Sequence, residues 1–113
     1  MNTALDMTFR ALADPTRRAV VQALGRGPAS VSDLARPFRM ALPSFLQHLK
    51  VLEDSGLVDT RKIGRVRTCT LRLEPLAAAE HWLEGQRDLW TRRLDRMDSL
   101  VLHLKKQEEE GSP

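Results

Sequence analysis

The sequence has few of the residues that mark a secreted or membrane-spanning protein. Of its 113 residues one is cysteine, none is tyrosine and three are phenylalanine. Because Cys69 is alone, no disulfide can form within the chain, and nothing points to an oxidising compartment. No apolar run approaches the roughly 20 residues of a membrane span, and the first residues lack the apolar stretch of a signal peptide. We therefore expect a cytoplasmic protein with no membrane partner.

Charge is nearly balanced in total but is unevenly placed. Eighteen lysines and arginines against fifteen acids give a formal net charge of +3. Between residues 61 and 72 there are five basic residues and no acid: Arg61, Lys62, Arg65, Arg67 and Arg72. Base concentrated on one segment is the usual electrostatic footprint of a protein that binds a phosphate backbone.

Apolar spacing and helix-start signals predict two helices in the first quarter of the chain. Leu5, Phe9 and Leu12 follow a helical spacing. Asp14 followed by Pro15 is a helix start, because Asp accepts from free amides and Pro fits the first turn. A glycine-rich break at residues 25–28 then ends the second helix.

Two further helices are predicted close together. Ser30 opens a short one that ends before Pro37, and Pro43 lies in the first turn of the next, at residues 43–55. The second helix of this pair has an apolar face, and Gly56 is placed to end it in a left-handed conformation. Two short helices joined by a tight break form the helix-turn-helix arrangement, whose second helix enters the major groove of DNA.

The apolar period then changes. Residues 57–63 and 66–73 alternate as strands do, and Gly64 with Arg65 forms a short turn between them. This pattern predicts a β-hairpin with a basic tip. In such a hairpin Lys62, Arg65 and Arg67 can reach phosphates beside the groove or enter a narrow minor groove.

A long helix is predicted from Pro75 to about residue 108. A heptad of apolar residues runs through it, at Leu76, Leu83, Trp90, Met97 and Leu104, with Leu94 and Val101 on the same side. Such a heptad predicts a coiled-coil-like seam. We expect one domain over residues 1–108 and a frayed tail at 109–113.

The outward face of the helix at 43–55 carries the candidate base-reading residues. Gln can pair with adenine through two hydrogen bonds, Ser is adaptable, and Lys can neutralise a phosphate. The candidates for contact with DNA on this helix are Pro43, Ser44, Gln47, His48 and Lys50. His48 is also placed to pack partly against the preceding helix.

Two stretches together resemble the ArsR (arsenical-resistance repressor) family of winged helix-turn-helix proteins. They are FRALADPTRRAVVQAL at residues 9–24 and LPSFLQHLKVLEDSGLV at residues 42–58, and the resemblance covers residues 5–73. It implies a mainly α fold with a two-stranded β-hairpin wing. It also implies a homodimeric repressor that binds an inverted-repeat operator on double-stranded DNA and is released by a small-molecule inducer.

The resemblance further implies that the first and last helices form the dimer interface, and the heptad agrees independently. The interface residues expected are Leu5, Phe9, Leu83, Trp90, Leu94, Met97 and Val101. Many relatives have Ser-Lys where this chain has Leu46-Gln47, so the base preference cannot be transferred. The stretch MALPSFLQHLKVLE resembles a subgroup often encoded beside START-like ligand-binding proteins.

Metal, redox and catalytic readings find little support in the residues. The short helix lacks the Cys-x-Cys of metal-sensing relatives, and His81 and His103 are 22 positions apart, about 33 Å along a helix. We therefore expect no metal and no cofactor. Cys69 has no second cysteine to resolve an oxidised thiol and is expected to be a packing residue. No phosphate loop or activated nucleophile suggests an enzyme.

Two alternatives stay open from the residues alone. One is a metal- or thiol-responsive repressor. The other is a dimer of the same fold that binds a protein partner and has lost DNA binding. We expect Leu46 to be exposed on the helix at 43–55, and this favours the second alternative, because an exposed Leu suits a protein partner as well as a thymine methyl group.

Overall fold

The computed structural model describes residues 3–111, and its elements follow the expected order. They are α1 Thr3–Leu12, α2 Pro15–Leu24, β1 Ala29–Ser30, α3 Val31–Ala35, α4 Leu42–Asp54, β2 Val58–Ile63, β3 Val66–Leu71 and α5 Glu74–Glu110. The predicted mainly α fold with a hairpin wing is confirmed. The chain forms two compact units, one ending at Ala79 and the other beginning at Glu80.

The break between α1 and α2 follows directly from the Asp-Pro pair. The Asp14 carboxylate accepts a hydrogen bond from the Arg17 backbone N–H at 3.1 Å, and Pro15 occupies the first turn, where an N–H is not needed. The guanidinium groups of Arg17 and Arg18 donate to the last carbonyls of α1 at 2.8 to 2.9 Å. Both helix ends at this joint are thereby satisfied.

The sheet has one strand more than the sequence predicted. The strand β1 pairs antiparallel with β3, with Ala29 opposite Cys69 and Ser30 opposite Thr68, and the strand order is β1-β3-β2. A strand of two residues has no alternation to detect, so it could not be read from the pattern. Because Ser30 also caps α3, the base of the hairpin is joined to the start of that helix.

The core lies under α4, as its apolar face predicted. Phe45, Leu49 and Leu52 are each 1% exposed or less, and the Phe45 ring stacks on Phe38 with centroids 5.7 Å apart. Gly56 has a φ of +81°, so the expected left-handed residue after α4 is confirmed. The buried apolar residues packed together are Ala11, Val20, Leu24, Val31, Leu34, Phe45, Leu49, Leu52, Leu57, Val58 and Cys69.

Cys69 occupies the middle strand and is fully buried. Burial raises the pKa of its thiol, and the nearby Glu53 carboxylate acts in the same direction. The Thr60 hydroxyl lies 3.6 Å from the sulfur and acts against the rise, as does Arg67. Because the thiolate is the reactive form, a raised pKa favours the packing role predicted for Cys69 over a redox role.

The second unit consists of α5 from Glu80 onward. Every described residue from 80 to 111 is exposed within the single chain. The exposed apolar side chains include Leu83, Trp90, Leu94, Met97, Val101 and Leu104, at 52% to 60% of their full exposure. Among residues 3–111, no helix has both the length and the apolar character needed to cross a membrane.

The helix α5 continues to Glu110, two residues past the expected end. Of the predicted tail, residues 112 and 113 lie outside the described residues. The division into one domain at 1–108 and a tail stays a prediction.

Candidate nucleic-acid interface

The helix-turn-helix pair consists of α3 and α4. The Ser30 hydroxyl accepts from the Asp33 backbone N–H at 3.1 Å, which confirms the predicted helix start. The N-cap of α4 is Ala41, whose side chain offers no acceptor. Pro43 lies in the first turn of α4 and is exposed. Pro43 has no amide and the Ser44 N–H donates to the Ala41 carbonyl at 3.1 Å. Within the described residues, the Leu42 N–H is therefore the amide of this turn that is left for a phosphate oxygen.

The outer face of α4 presents polar side chains. Ser44, Gln47 and Lys50 are exposed, whereas Phe45 on the opposite face is buried. Lys50 Nζ lies 3.5 Å from Asp54 Oδ1, and the Lys50 side chain is 74% exposed. Such exposed pairs contribute little to stability, so the ammonium can exchange its partner for a phosphate.

His48 has different surroundings from its neighbours on α4. Its side chain is only 25% exposed, and its Nδ1 lies 3.1 Å from Arg17 Nη1. The Asp14 carboxylate is 3.7 Å from the same nitrogen. His48 packs partly against another helix, as expected, but that helix is α2 and not α3, which directly precedes α4. Contact of His48 with DNA stays a prediction.

The electrostatics at this joint also involve the Asp14 carboxyl group. Burial raises the pKa of Asp14, but the backbone hydrogen bond from Arg17 and the charges of His48 and Arg17 outweigh it. The pKa therefore lies below its usual value. In an unfolded chain it would be about 3.9, so Asp14 stabilises the fold fully above that pH. This contribution is lost as the pH falls through the lower folded pKa.

Replacing Asp14 with alanine is expected to lower the free energy of unfolding by about 1 kcal/mol near neutral pH, because the cap is lost. The difference from the natural chain should shrink between about pH 5 and pH 2. Urea unfolding across this range measures both effects. Asp14→Asn is the control, since Asn caps about as well without the charge. A gap that widens in acid would contradict the assignment.

The hairpin tip carries two basic side chains that no acid neutralises within the described residues. Gly64 at the turn has a φ of +65°, which L side chains rarely adopt. Lys62 and Arg65 are exposed, and the side chain of neither forms a hydrogen bond or ion pair with any residue between 3 and 111. Arg67 is also exposed but has Glu53 at 3.9 Å.

The basic cluster is less uniform than its sequence indicated. Arg61 Nε lies 2.9 Å from Asp59 Oδ2, and Arg72 Nη2 lies 3.8 Å from the same oxygen. Asp59 thus partly neutralises two of the five cations, and Glu53 lies near a third, Arg67. Most of the unbalanced positive charge is consequently at the tip, which is the part of a wing that can approach DNA.

A surface cavity of about 460 Å³ lies between the tip and the start of α4. Its lining residues are Ser30, Val31, Ser32, Leu42, Leu46, Arg65, Val66 and Arg67. The structure therefore brings the predicted reading helix and the predicted wing beside each other. Leu46 is half-buried and packs against the core, so the expectation of an exposed Leu46 is wrong. The protein-partner alternative loses the feature that favoured it.

A second cavity, of about 260 Å³, lies on the other side of α4. Gln47 and Lys50 border it together with Met7, Arg10, Val51 and Asp54. Arg10 was missed from the sequence. A single basic residue on the exposed face of α1 gives no signal until the fold places it beside α4.

Comparison with known proteins agrees with this geometry. A helix-turn-helix domain family matches residues 12–61. The HTH-type transcriptional regulator Rv2034 of Mycobacterium tuberculosis is 41% identical over 96 residues, which cover 85% of this chain and 87% of that protein. The transcriptional repressor SdpR of Bacillus subtilis is 27% identical over 90 residues, covering 75% of this chain and all of SdpR.

A crystal structure of the ArsR family transcriptional regulator RHA00566 is 57% identical, with a TM-score of 0.77. The match covers 80% of this chain and 94% of that one. Fold and site together define a winged helix-turn-helix protein that binds DNA and regulates transcription. Within that class, the chain belongs to the ArsR family. The resemblance in the two sequence stretches is confirmed, and the individual DNA contacts stay predictions.

Proposed function

We propose that the chain is a transcriptional repressor that binds an inverted-repeat operator as a homodimer. The helix α4 of each copy enters a major groove, and the β2–β3 hairpin lies on the adjacent phosphates. The observation that carries this proposal is the shared cavity between the start of α4 and the basic tip. A repressor role is also supported by the likeness to SdpR over that protein's whole length.

The proposed contacts divide into two kinds. Gln47 reads base edges, with Ser44 beside it, while Lys50, Lys62, Arg65 and Arg67 meet phosphates. The exposed first turn at Pro43 approaches the backbone, and His48 is a further contact. Because phosphate contacts release counterions, affinity should fall steeply with salt.

A direct test measures binding by fluorescence anisotropy to a duplex carrying the region upstream of the chain's own gene. A duplex of the same length and composition in scrambled order is the control. We expect preference for the upstream duplex and a strong salt dependence on both. Equal affinity for the two would contradict an operator in that region. The absence of binding to either at micromolar protein and low salt would contradict DNA binding itself.

Gln47→Ala and Arg65→Ala are expected to separate base reading from phosphate contact. A pair of hydrogen bonds to one base contributes about 1–3 kcal/mol of discrimination, so Gln47→Ala should lower the ratio of specific to non-specific affinity about tenfold. Arg65→Ala should weaken all duplexes alike and reduce the salt slope by about 1. Anisotropy titrations at several salt concentrations measure both quantities.

Arg61→Ala is the matched control for Arg65, because it removes the same charge from the same hairpin. Its guanidinium is already held by Asp59, so a smaller loss is expected. Equal losses from Arg61→Ala and Arg65→Ala would contradict the special role of the tip. Equal losses from Gln47→Ala on every duplex would contradict base reading by Gln47.

We also propose that α1 and α5 form the dimer interface. An exposed apolar stripe on α5 supports this, at Leu83, Trp90, Leu94, Met97 and Val101. Apolar patches of this size on a soluble protein mark surfaces that another chain covers. Leu5 and Phe9 on α1 are half-buried within the single chain and belong to the same proposal.

The proposed repressor also needs an effector that releases it from DNA. Among residues 3–111, no three His, Cys, Asp or Glu side chains lie together as ligands for a metal within one copy. We propose a member of the non-metal subgroup that is cytoplasmic, not an enzyme, and released from DNA by a small organic inducer. Binding of Zn²⁺ at micromolar concentration, with loss of the DNA complex, would contradict the subgroup assignment.

A further inference from the structure

The Arg17 side chain, on α2, forms hydrogen bonds with both α1 and α4. Its Nε donates to the Ala11 carbonyl at 2.8 Å, and its Nη2 donates to the Arg10 carbonyl at 2.9 Å. Both carbonyls belong to the last turn of α1, where a helix leaves acceptors unused, although the Arg10 carbonyl also accepts from the Ala13 backbone N–H at 3.2 Å. The third nitrogen, Nη1, lies 3.1 Å from His48 Nδ1 on α4. One guanidinium on α2 therefore links the end of α1 to the reading helix.

The geometry also fixes how His48 holds its proton. A guanidinium can only donate hydrogen bonds, and it stays charged throughout the physiological range. The His48 Nδ1 that faces it must therefore accept. The Asp14 oxygen is 3.7 Å from this nitrogen, which is too long for a competing hydrogen bond. A neutral His48 consequently carries its proton on Nε2, and this N–H remains available to a phosphate oxygen.

We propose that Arg17 is a positioning residue for DNA binding, which orients α4 against α1 through His48 and keeps His48 in the form protonated on Nε2. This inference rests on the proposed function, since it assumes that α4 reads DNA. Arg17 itself needs no contact with DNA in this role. Its effect on affinity passes through His48, and removal of the Nδ1 acceptor should remove that effect.

Arg18 provides a matched control on the same helix. Its Nη1 donates to the Leu12 carbonyl at 2.9 Å, so it also satisfies the end of α1. It forms no hydrogen bond with α4 in the described part of the chain. Arg17→Ala and Arg18→Ala both remove one charge and at least one bond to α1. Only the first removes the bond to His48.

Two substitutions at His48 separate the two ring nitrogens. The amide oxygen of Asn lies near the place of Nδ1, so His48→Asn keeps an acceptor for Arg17 and removes the outward donor. The amide of Gln lies near the place of Nε2, so His48→Gln removes the acceptor and keeps a donor. Affinity for the upstream duplex is measured for Arg17→Ala and Arg18→Ala in the natural background, with His48→Gln and with His48→Asn.

A charged hydrogen bond is worth about a factor of ten or more in an equilibrium. We expect Arg17→Ala to weaken DNA binding about tenfold more than Arg18→Ala does, and this excess to disappear with His48→Gln but to persist with His48→Asn. Equal weakening by the two arginine variants would overturn the proposal. So would an excess that is unchanged by His48→Gln.

A second readout does not depend on DNA. In a two-bond ¹H–¹⁵N correlation spectrum of the natural chain, the neutral ring of His48 should show an unprotonated Nδ1 and a protonated Nε2. The His48→Asn spectrum identifies its signals among those of the three histidines. A protonated Nδ1 in the neutral ring would overturn the proposal even if the natural chain bound no DNA. If Nδ1 is unprotonated but the natural chain binds no DNA, the repressor assignment has failed and the Arg17–His48 contact stands.

If Arg17→Ala does not fold, Arg17→Lys replaces it. Lysine keeps the charge but presents a single ammonium in place of the planar fork, so it cannot serve two carbonyls and His48 at once. Urea unfolding of every variant is measured alongside the titrations. An affinity loss that simply follows the loss of stability would overturn the positioning role.

Discussion

The double variant Leu94→Glu, Val101→Glu is expected to be monomeric and to lose tight operator binding. The two side chains are 53% and 59% exposed in the single chain, so the substitutions cost the isolated chain little. Across a dimer seam they would place four carboxylates in an apolar contact, where unpaired charge is strongly unfavourable. Because the two half-sites would no longer be bound together, affinity should fall by about 10²- to 10⁴-fold.

Analytical ultracentrifugation measures the oligomeric state, and anisotropy with the upstream duplex measures the affinity. Ser99→Glu with His103→Glu is the matched control, because at about 100° per residue both positions lie on the face of α5 away from the stripe, and the two substitutions add two negative charges there. The control should stay dimeric and bind. A Leu94, Val101 double variant that remains dimeric would contradict the proposed seam.

Phe45→Ala is expected to lower the free energy of unfolding by about 3–5 kcal/mol, the usual loss for a fully buried phenylalanine. Phe45 is 1% exposed and stacks on Phe38, so its removal leaves a cavity directly beneath the reading helix. Domains of this kind are stable by only about 5–15 kcal/mol, and a marginal chain would unfold outright. Urea unfolding at neutral pH measures the change.

Phe38→Ala serves as the comparison. Phe38 is half-buried, so less apolar area is lost and the surroundings can collapse more easily. We expect a clearly smaller destabilisation than for Phe45→Ala. Equal losses at the two positions would mean that the core is not centred on α4.

Local signals in the sequence were sufficient to predict most of the fold. Asp14 and Ser30 accept hydrogen bonds from the first turns that they were expected to cap. The apolar spacing placed Phe45 inside, and Gly64 marked the turn of the hairpin. These features depend on neighbours within a few residues, where spacing and side-chain chemistry determine the outcome.

Features that depend on distant residues could not be predicted in the same way. The strand β1 exists only because it meets β3, forty positions later. Glu53 lies near Arg67 across two elements, and Arg17 meets His48 at a separation of 31 residues. Leu46 was expected to be exposed because the helical pattern assigns it to the outer face of α4. The pattern cannot show that other parts of the fold pack against that position. Each of these depends on packing that forms only in the folded chain.

The strand order has a mechanical consequence for DNA recognition. Only Thr68 and Cys69 of β3 are flanked on both sides, by β1 and β2, while the tip beyond them is a two-stranded ribbon. Two-stranded ribbons twist more readily than wider sheets. We therefore expect the two-stranded tip of the hairpin to adapt to grooves of different width more easily than its three-stranded base. The helix α3 begins at that base, because Ser30 belongs to β1 and also caps α3.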